Sequence, residues 1–218
     1  YMMKKERILP ALVFVIFIAV ITLLTLLPSA SAVKVICSNE TKVLSDTSEI
    51  AVGDKSNING LGIAVANADE TNAIGRLTAD LFIDAGKASV SNKSYSQEVS
   101  LLNGIHTINF ANITGEKIMI SIDGVYIELY EGDVNMSGNL FVMIPSIDIS
   151  DSQNPGAKVI IGSQKLSLLN TENPAEKVSA GSIDYVVELY SASDSGATIR
   201  VSKCDGGDIS FGSEDAEN

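Results

Sequence analysis

The chain has 218 residues and carries 27 acidic against 15 basic side chains, a formal net charge of −12. That balance repels phosphate backbones and anionic lipid, which argues against nucleic acid and a charged membrane surface as partners. With 45% hydrophobic residues and bases interspersed among the acids, it has the composition of a folding chain and not of a disordered polyacid.

Lys4, Lys5 and Arg7 precede the apolar run from Leu9 to Leu27; Pro28 interrupts it and Ala30-Ser31-Ala32 follows. A positive segment, an apolar segment and an A-x-A triplet form the pattern of a secretory signal. Residues 1–32 are therefore expected to be removed, leaving Val33 as the new N-terminus. The apolar run also reaches the roughly 20 residues of a bilayer-spanning helix, so an uncleaved N-terminal hydrophobic helix stays open as an alternative and is the only membrane contact expected. In either case the basic residues stay inside and the body is exported, to the cell surface or the extracellular space. There the two cysteines, Cys37 and Cys204, are expected to form a disulfide joining the ends of the body, with two separate buried thiols as the alternative.

Beyond the leader, short runs of Val, Ile, Leu, Tyr and Thr recur between Gly, Asn, Asp, Ser and Pro, and none keeps a helical apolar period. Strands are expected at 33–36, 50–52, 58–66, 76–84, 95–102, 105–111, 117–123, 125–130, 140–147, 158–161, 164–169, 183–191 and 197–202. Leu77, Ala79, Leu81 and Ile83 fall on one face of their run, as do Ile118, Ile120 and Ile122. This is the alternation of a two-layer sandwich. Asn103-Gly104 and Asp123-Gly124 read as hairpin turns whose central residues take positive φ. The polar stretch from Ser150 to Gly156 reads as a boundary. The expected organisation is an all-β protein: an immunoglobulin-like antiparallel sandwich over 33–147, a smaller β domain over 148–204, and a flexible acidic tail over 205–218 with at best a short strand at 209–211. Residues 170–181, with Pro174, read as a loop. Leu61 to Leu77 and Tyr185 to Val201 align without gaps, Ala73 with Ala197 and Arg76 with Arg200, which suggests an internal echo.

Ala51-Val52-Gly53-Asp54, Val65-Ala66-Asn67, Leu81-Phe82-Ile83-Asp84 and Val99-Ser100-Leu101-Leu102-Asn103-Gly104 followed by Thr107-Ile108-Asn109-Phe110 all lie between Glu49 and Gly124. On these pieces the stretch resembles the CARDB-type immunoglobulin-like domains of microbial surface proteins. Tyr185 to Val201 is similar to strand pairs of secreted and surface-layer proteins of archaea. The resemblance implies a scaffold or adhesion module and carries over no active residue; Cys37 and Cys204 belong to no motif of that family.

Chemistry is sparse. The single histidine, His106, lies in an expected strand with no nucleophile motif beside it, and the serine-hydrolase, zinc-protease and phosphate-loop signatures are absent. Asp133, Asn135 and Ser137, followed by Gly138, match the opening of a calcium loop, but position 12 is Ile144 where a glutamate belongs; a polar turn is the competing reading. Sequons make Asn39, Asn92, Asn112 and Asn135 candidate glycan acceptors, of which Asn92 and Asn112 are expected in turn-like surroundings. The function expected is non-enzymatic: a surface or envelope module acting by adhesion, or by self-assembly with other surface proteins. A protein binding saccharide or calcium, or a small secreted hydrolase, is the alternative. An enzyme would gather His106 with acids and a serine in one pocket.

Overall fold

Alternation this regular leaves one economical solution, stacked antiparallel sheets. A computed structural model describes residues 33–38, 41–71 and 75–213. In chain order these form β1 (Val33–Cys37), β2 (Val43–Ala51), β3 (Lys55–Ile58), β4 (Leu61–Thr71), β5 (Arg76–Ser91), β6 (Ser96–Leu101), β7 (Gly104–Thr114), β8 (Lys117–Ile122), β9 (Val125–Tyr130), β10 (Val134–Ser137), β11 (Leu140–Asp148), β12 (Gly156–Leu169), β13 (Ala175–Ala180), β14 (Ile183–Ser193), β15 (Gly196–Cys204) and β16 (Ile209–Ser213). They pair as a six-stranded sheet, β10-β11-β12-β5-β4-β3, two four-stranded sheets, β13-β14-β15-β2 and β6-β7-β8-β9, and a ribbon, β1-β16. The expected leader and Asn39 lie outside the described residues.

Two long strands organise the rest. β5 and β12 pair along most of their length, but the ladder skips the step where Asp84 faces Ser163, and Asp84 adopts φ 53°, the left-handed region that aspartate enters at modest cost. Alternation changes phase there. Ala79, Leu81 and Ile83 enter one core while Ala88 and Val90 enter another; on β12 the odd residues Ala157, Val159 and Ile161 give way to Leu166 and Leu168. Strict period 2 would have sent these sets to opposite faces. With the change of phase one face serves both cores. β13-β14-β15-β2 covers its β3-β4 end around Tyr185, Leu81 and Ile199, and β6-β7-β8-β9 covers its β10-β11 end around Phe110, Ile120 and Val142. The approach is close: a Cβ at Gly86 would lie 2.0 Å from Val99 Cγ1, which reserves that position for glycine.

The other face of the six-stranded sheet is apolar only at the bend. Ala64 and Phe82 from one arm meet Met143 and Ile160 from the other, with Ala85 between them, and all are buried. Phe82 and Phe141 have ring centroids 5.9 Å apart, and Lys87 Nζ reaches Asp54 Oδ1 at 2.8 Å. This cluster forms a crook at the change of phase, between the two sandwich cores.

The ribbon lies on the first sandwich, where Val33, Val35 and Ile209 pack against Ala175 and Val186. Cys37 and Cys204 are bonded there, with Cα atoms 5.7 Å apart.

Several expectations need correction. The run at 58–66 is broken by a turn, Asn59 (φ 53°) and Gly60 (φ 87°), into β3 and β4. The runs at 158–161 and 164–169 are one strand, β12. The expected loop at 170–181 contains β13, while the short strand allowed at 209–211 is present as β16, Ile209–Ser213. Asn103-Gly104 is not the centre of its hairpin: Leu101 pairs with Gly104, so the loop is Leu102-Asn103, whereas Asp123 (φ 52°) and Gly124 (φ 86°) turn as expected. The polar stretch read as a boundary connects β11 to β12 inside one sheet, and β15 pairs with β2 from the far end of the chain.

Candidate functional site

His106 stands at the start of β7, opposite Val99 of β6. Its Nδ1 lies 2.7 Å from Asp123 Oδ2 and its Nε2 lies 3.2 Å from Asn103 Oδ1. Asp123 also accepts the Thr107 N–H through Oδ1, at 2.8 Å. The hydrogen bond from His106, then that from Thr107, outweighs partial burial and holds the Asp123 carboxyl below the ordinary aspartate value. An acid and an imidazole therefore do meet, but both ring nitrogens are engaged and neither faces a hydroxyl. A general base needs a free nitrogen aimed at the proton it removes. As placed, His106 clamps the Leu102-Asn103 loop to the Asp123-Gly124 turn.

The calcium-loop residues do not surround a common centre. Asp133 Oδ2 accepts the Tyr130 N–H at 2.9 Å and Asn135 Oδ1 accepts the Met136 N–H at 2.8 Å. Ser137 Oγ is buried without a hydrogen-bond partner. Asn135 and Ser137 belong to an extended strand, β10, and not to the polar turn or tight loop expected there. Among the described residues no group of three or more His, Cys, Asp or Glu side chains gathers in the manner of a metal site. Asn92, Asn112 and Asn135 are all exposed. Asn92 lies in the β5–β6 turn, as expected, but Asn112 lies within β7, just past the register shift after Phe110.

The concavities among the described residues include the following two. A groove of roughly 310 Å³ runs between Tyr130, Ile147 and Ile149, with Glu116 and Glu131 at its sides. A larger one, roughly 440 Å³, lies beside the disulfide between Ile183 and Lys203 and is rimmed by Asp184, Asp205 and Asp208. Neither contains His106.

The most distinctive surface is the outer face of β7-β8-β9. In β9, Ile127 and Leu129 turn inward to the second core, so Tyr126, Glu128 and Tyr130 turn outward. Tyr126 is 67% exposed and Tyr130 46%. Across the sheet Tyr126 pairs with Ser121, Glu128 with Met119 and Tyr130 with Lys117; Met119 in turn pairs with Asn112. Lys117 Nζ bonds Glu128 Oε2 at 3.1 Å and lies 5.0 Å from the centre of the Tyr130 ring. The alternation Val-Tyr-Ile-Glu-Leu-Tyr already carried this face in the sequence; what it lacked was the register with Asn112, which depends on the irregularity in β7.

No family model, no curated protein and no solved structure matches the chain.

Proposed function

We propose that the chain is an exported, non-enzymatic module of the cell surface or envelope: an immunoglobulin-like double sandwich that acts through its sheet faces and edges by adhesion or self-assembly with other surface proteins. The Cys37–Cys204 bond carries this reading, because a structural disulfide persists in an oxidising compartment. Occupation of both His106 nitrogens argues in the same direction, against hydrolysis. Among the described residues the outer strands of the three sheets, including β2, β3, β6 and β9, have one edge without a partner strand, and such edges accept strands from other chains. β1, which removal of the leader would leave as an N-terminal strand able to add to such an edge, pairs with β16 of its own chain and would have to leave it to serve a partner. A second reading, a saccharide-binding module, is favoured by one observation, the exposed tyrosines of β9.

The test is fractionation of the cells that make the protein, with thiol alkylation and N-terminal sequencing. The expected result is a chain in the envelope or medium with no alkylated cysteine, beginning at Val33 or retaining the leader as an anchor. A cytosolic chain with both thiols free would overturn the reading.

A further inference from the structure

The outer face of β7-β8-β9 places a glycan acceptor and two exposed aromatic rings on one side of the sheet, in neighbouring rows. Asn112 and Thr114, the ends of the sequon Asn112-Ile113-Thr114, are both exposed and share that face, because Ile113 between them packs on the second core. Asn112 is in register with Met119, and Met119 with Glu128. Two strand spacings, roughly 10 Å, separate Asn112 from β9. Tyr126 and Tyr130 flank Glu128 by two residues on either side, roughly 13 Å from one another.

We propose that Asn112 carries an N-linked glycan whose inner sugars lie across β8 onto Tyr126 and Tyr130, so that the protein covers this face with its own saccharide. This rests on the export reading given above. In the attachment step the Asn112 amide nitrogen forms a bond to the anomeric carbon of an activated glycosyl phosphate carrier. The sugar's bond to the carrier oxygen breaks, the amide loses one proton, and nothing is oxidised or reduced. A pyranose has one face of C–H groups and a rim of hydroxyls. The C–H face suits the electron-rich face of a tyrosine ring, and the rim suits the Glu128 carboxylate and the Lys117 ammonium beside the rings. Lys117 already holds the Tyr130 ring from one side, which orients it before any sugar arrives. A tethered ligand needs little intrinsic affinity, because the linkage supplies a high local concentration. The same geometry accounts for tyrosines left exposed on a flat face.

The experiment uses the full chain purified from the cells that make it. Glycopeptide mass spectrometry reads occupancy at Asn112, and tyrosine nitration mapped by peptide reads the shielding of each ring. The expected result is occupancy at Asn112 and a several-fold rise in nitration of Tyr126 and Tyr130 when the glycan is released enzymatically or removed by Asn112→Gln, with Tyr190, exposed on the other sandwich, unchanged. An exported, oxidised chain with a bare Asn112 overturns this proposal alone; a cytosolic, reduced chain overturns the export reading with it. An occupied Asn112 with unchanged nitration also overturns it. So does protection of the two rings only by added free oligosaccharide, which would mark the face as a site for saccharide from another source.

Discussion

The two sandwiches obey the same packing rule and differ in how they are closed. The first has the disulfide, a ribbon laid over its outer sheet, and an ion pair between Arg200 and a nearly buried Glu188, with the Arg200 Nη2 also reaching the Val33 carbonyl. Among the described residues the second has neither disulfide nor ribbon, and its ion pair, Lys117 with Glu128, is exposed. It holds its turns with His106 and Asp123, leaves most of the large exposed apolar side chains uncovered, and carries all three of the described sequon asparagines. One half is braced and the other presents surface. The buried cluster around Phe82 lies between them and is the place where the two halves can be coupled.

The largest expected effect comes from cutting the brace. The Cys37–Cys204 bond spans a sequence separation of 167, and the chain-entropy account assigns a loop of that size about 5 kcal/mol as an upper figure. Reduction, or Cys37→Ser with Cys204→Ser, is expected to lower the denaturant midpoint strongly and to raise hydrogen exchange first in β1 and β16. An unchanged midpoint would show that packing of Val33, Val35 and Ile209 alone holds the ribbon.

Next in size is the coupling itself. Phe82→Ala removes a fully buried ring from the crook and is expected to cost about 3–5 kcal/mol. It is also expected to split thermal unfolding into two transitions, one for each sandwich. Phe110→Ala, a comparable deletion inside the second core, is expected to destabilise that sandwich without the same loss of coupling. If both variants unfold in one step, the two halves are joined through the long strands β5 and β12 and not through the crook.

How much of this was legible in the sequence follows from what alternation encodes. Period 2 in 117–123 and 125–130 gave β8 and β9 and their turn almost to the residue, because each strand has one apolar face and the turn is Asp-Gly. The run at 76–84 gave only the first half of β5. Beyond Asp84 the phase changes, and Gly86, Lys87 and Ser89 interrupt the apolar pattern although Ala88 and Val90 are core. β13 was hidden because Ala175-Glu176-Lys177-Val178 has short or charged side chains; its burial is tertiary, with Val178 and Ala180 in the first core and Ala175 under the ribbon. The echo between 61–77 and 185–201 is partly real in geometry. Both first strands shift register at the matching place, after Val65 and after Leu189. Their return strands differ: Arg76 pairs with Thr71 at the hairpin tip, while Arg200 pairs with Glu188 mid-strand. The disulfide was legible from compartment logic and cysteine count. The candidate face was legible as alternation in β9 but not as a site, because its register with Asn112 is tertiary.

The smallest expected effect is in the clamp of the second sandwich, and it sharpens the contrast with the first. Asp123 is held below the ordinary aspartate value chiefly by His106, and Asp184 of the first sandwich chiefly by Lys177, with Ser179 next. A carboxyl depressed in the folded state contributes stability that is present above its unfolded value, near 4, and is lost as the pH falls through its lower folded value. Both sandwiches are therefore expected to weaken below about pH 4 and to keep these contributions at neutrality. His106→Ala is expected to return the Asp123 carboxyl toward the ordinary range, measurable by carboxyl-carbon NMR titration. It should cost under about 1 kcal/mol, since the pair is partly exposed and screened by solvent. Asp184, in the other sandwich, should titrate as before. A shift at Asp184 in that variant would mean that the turns of the second sandwich reach the first, and that the two halves are less separable than their closures suggest.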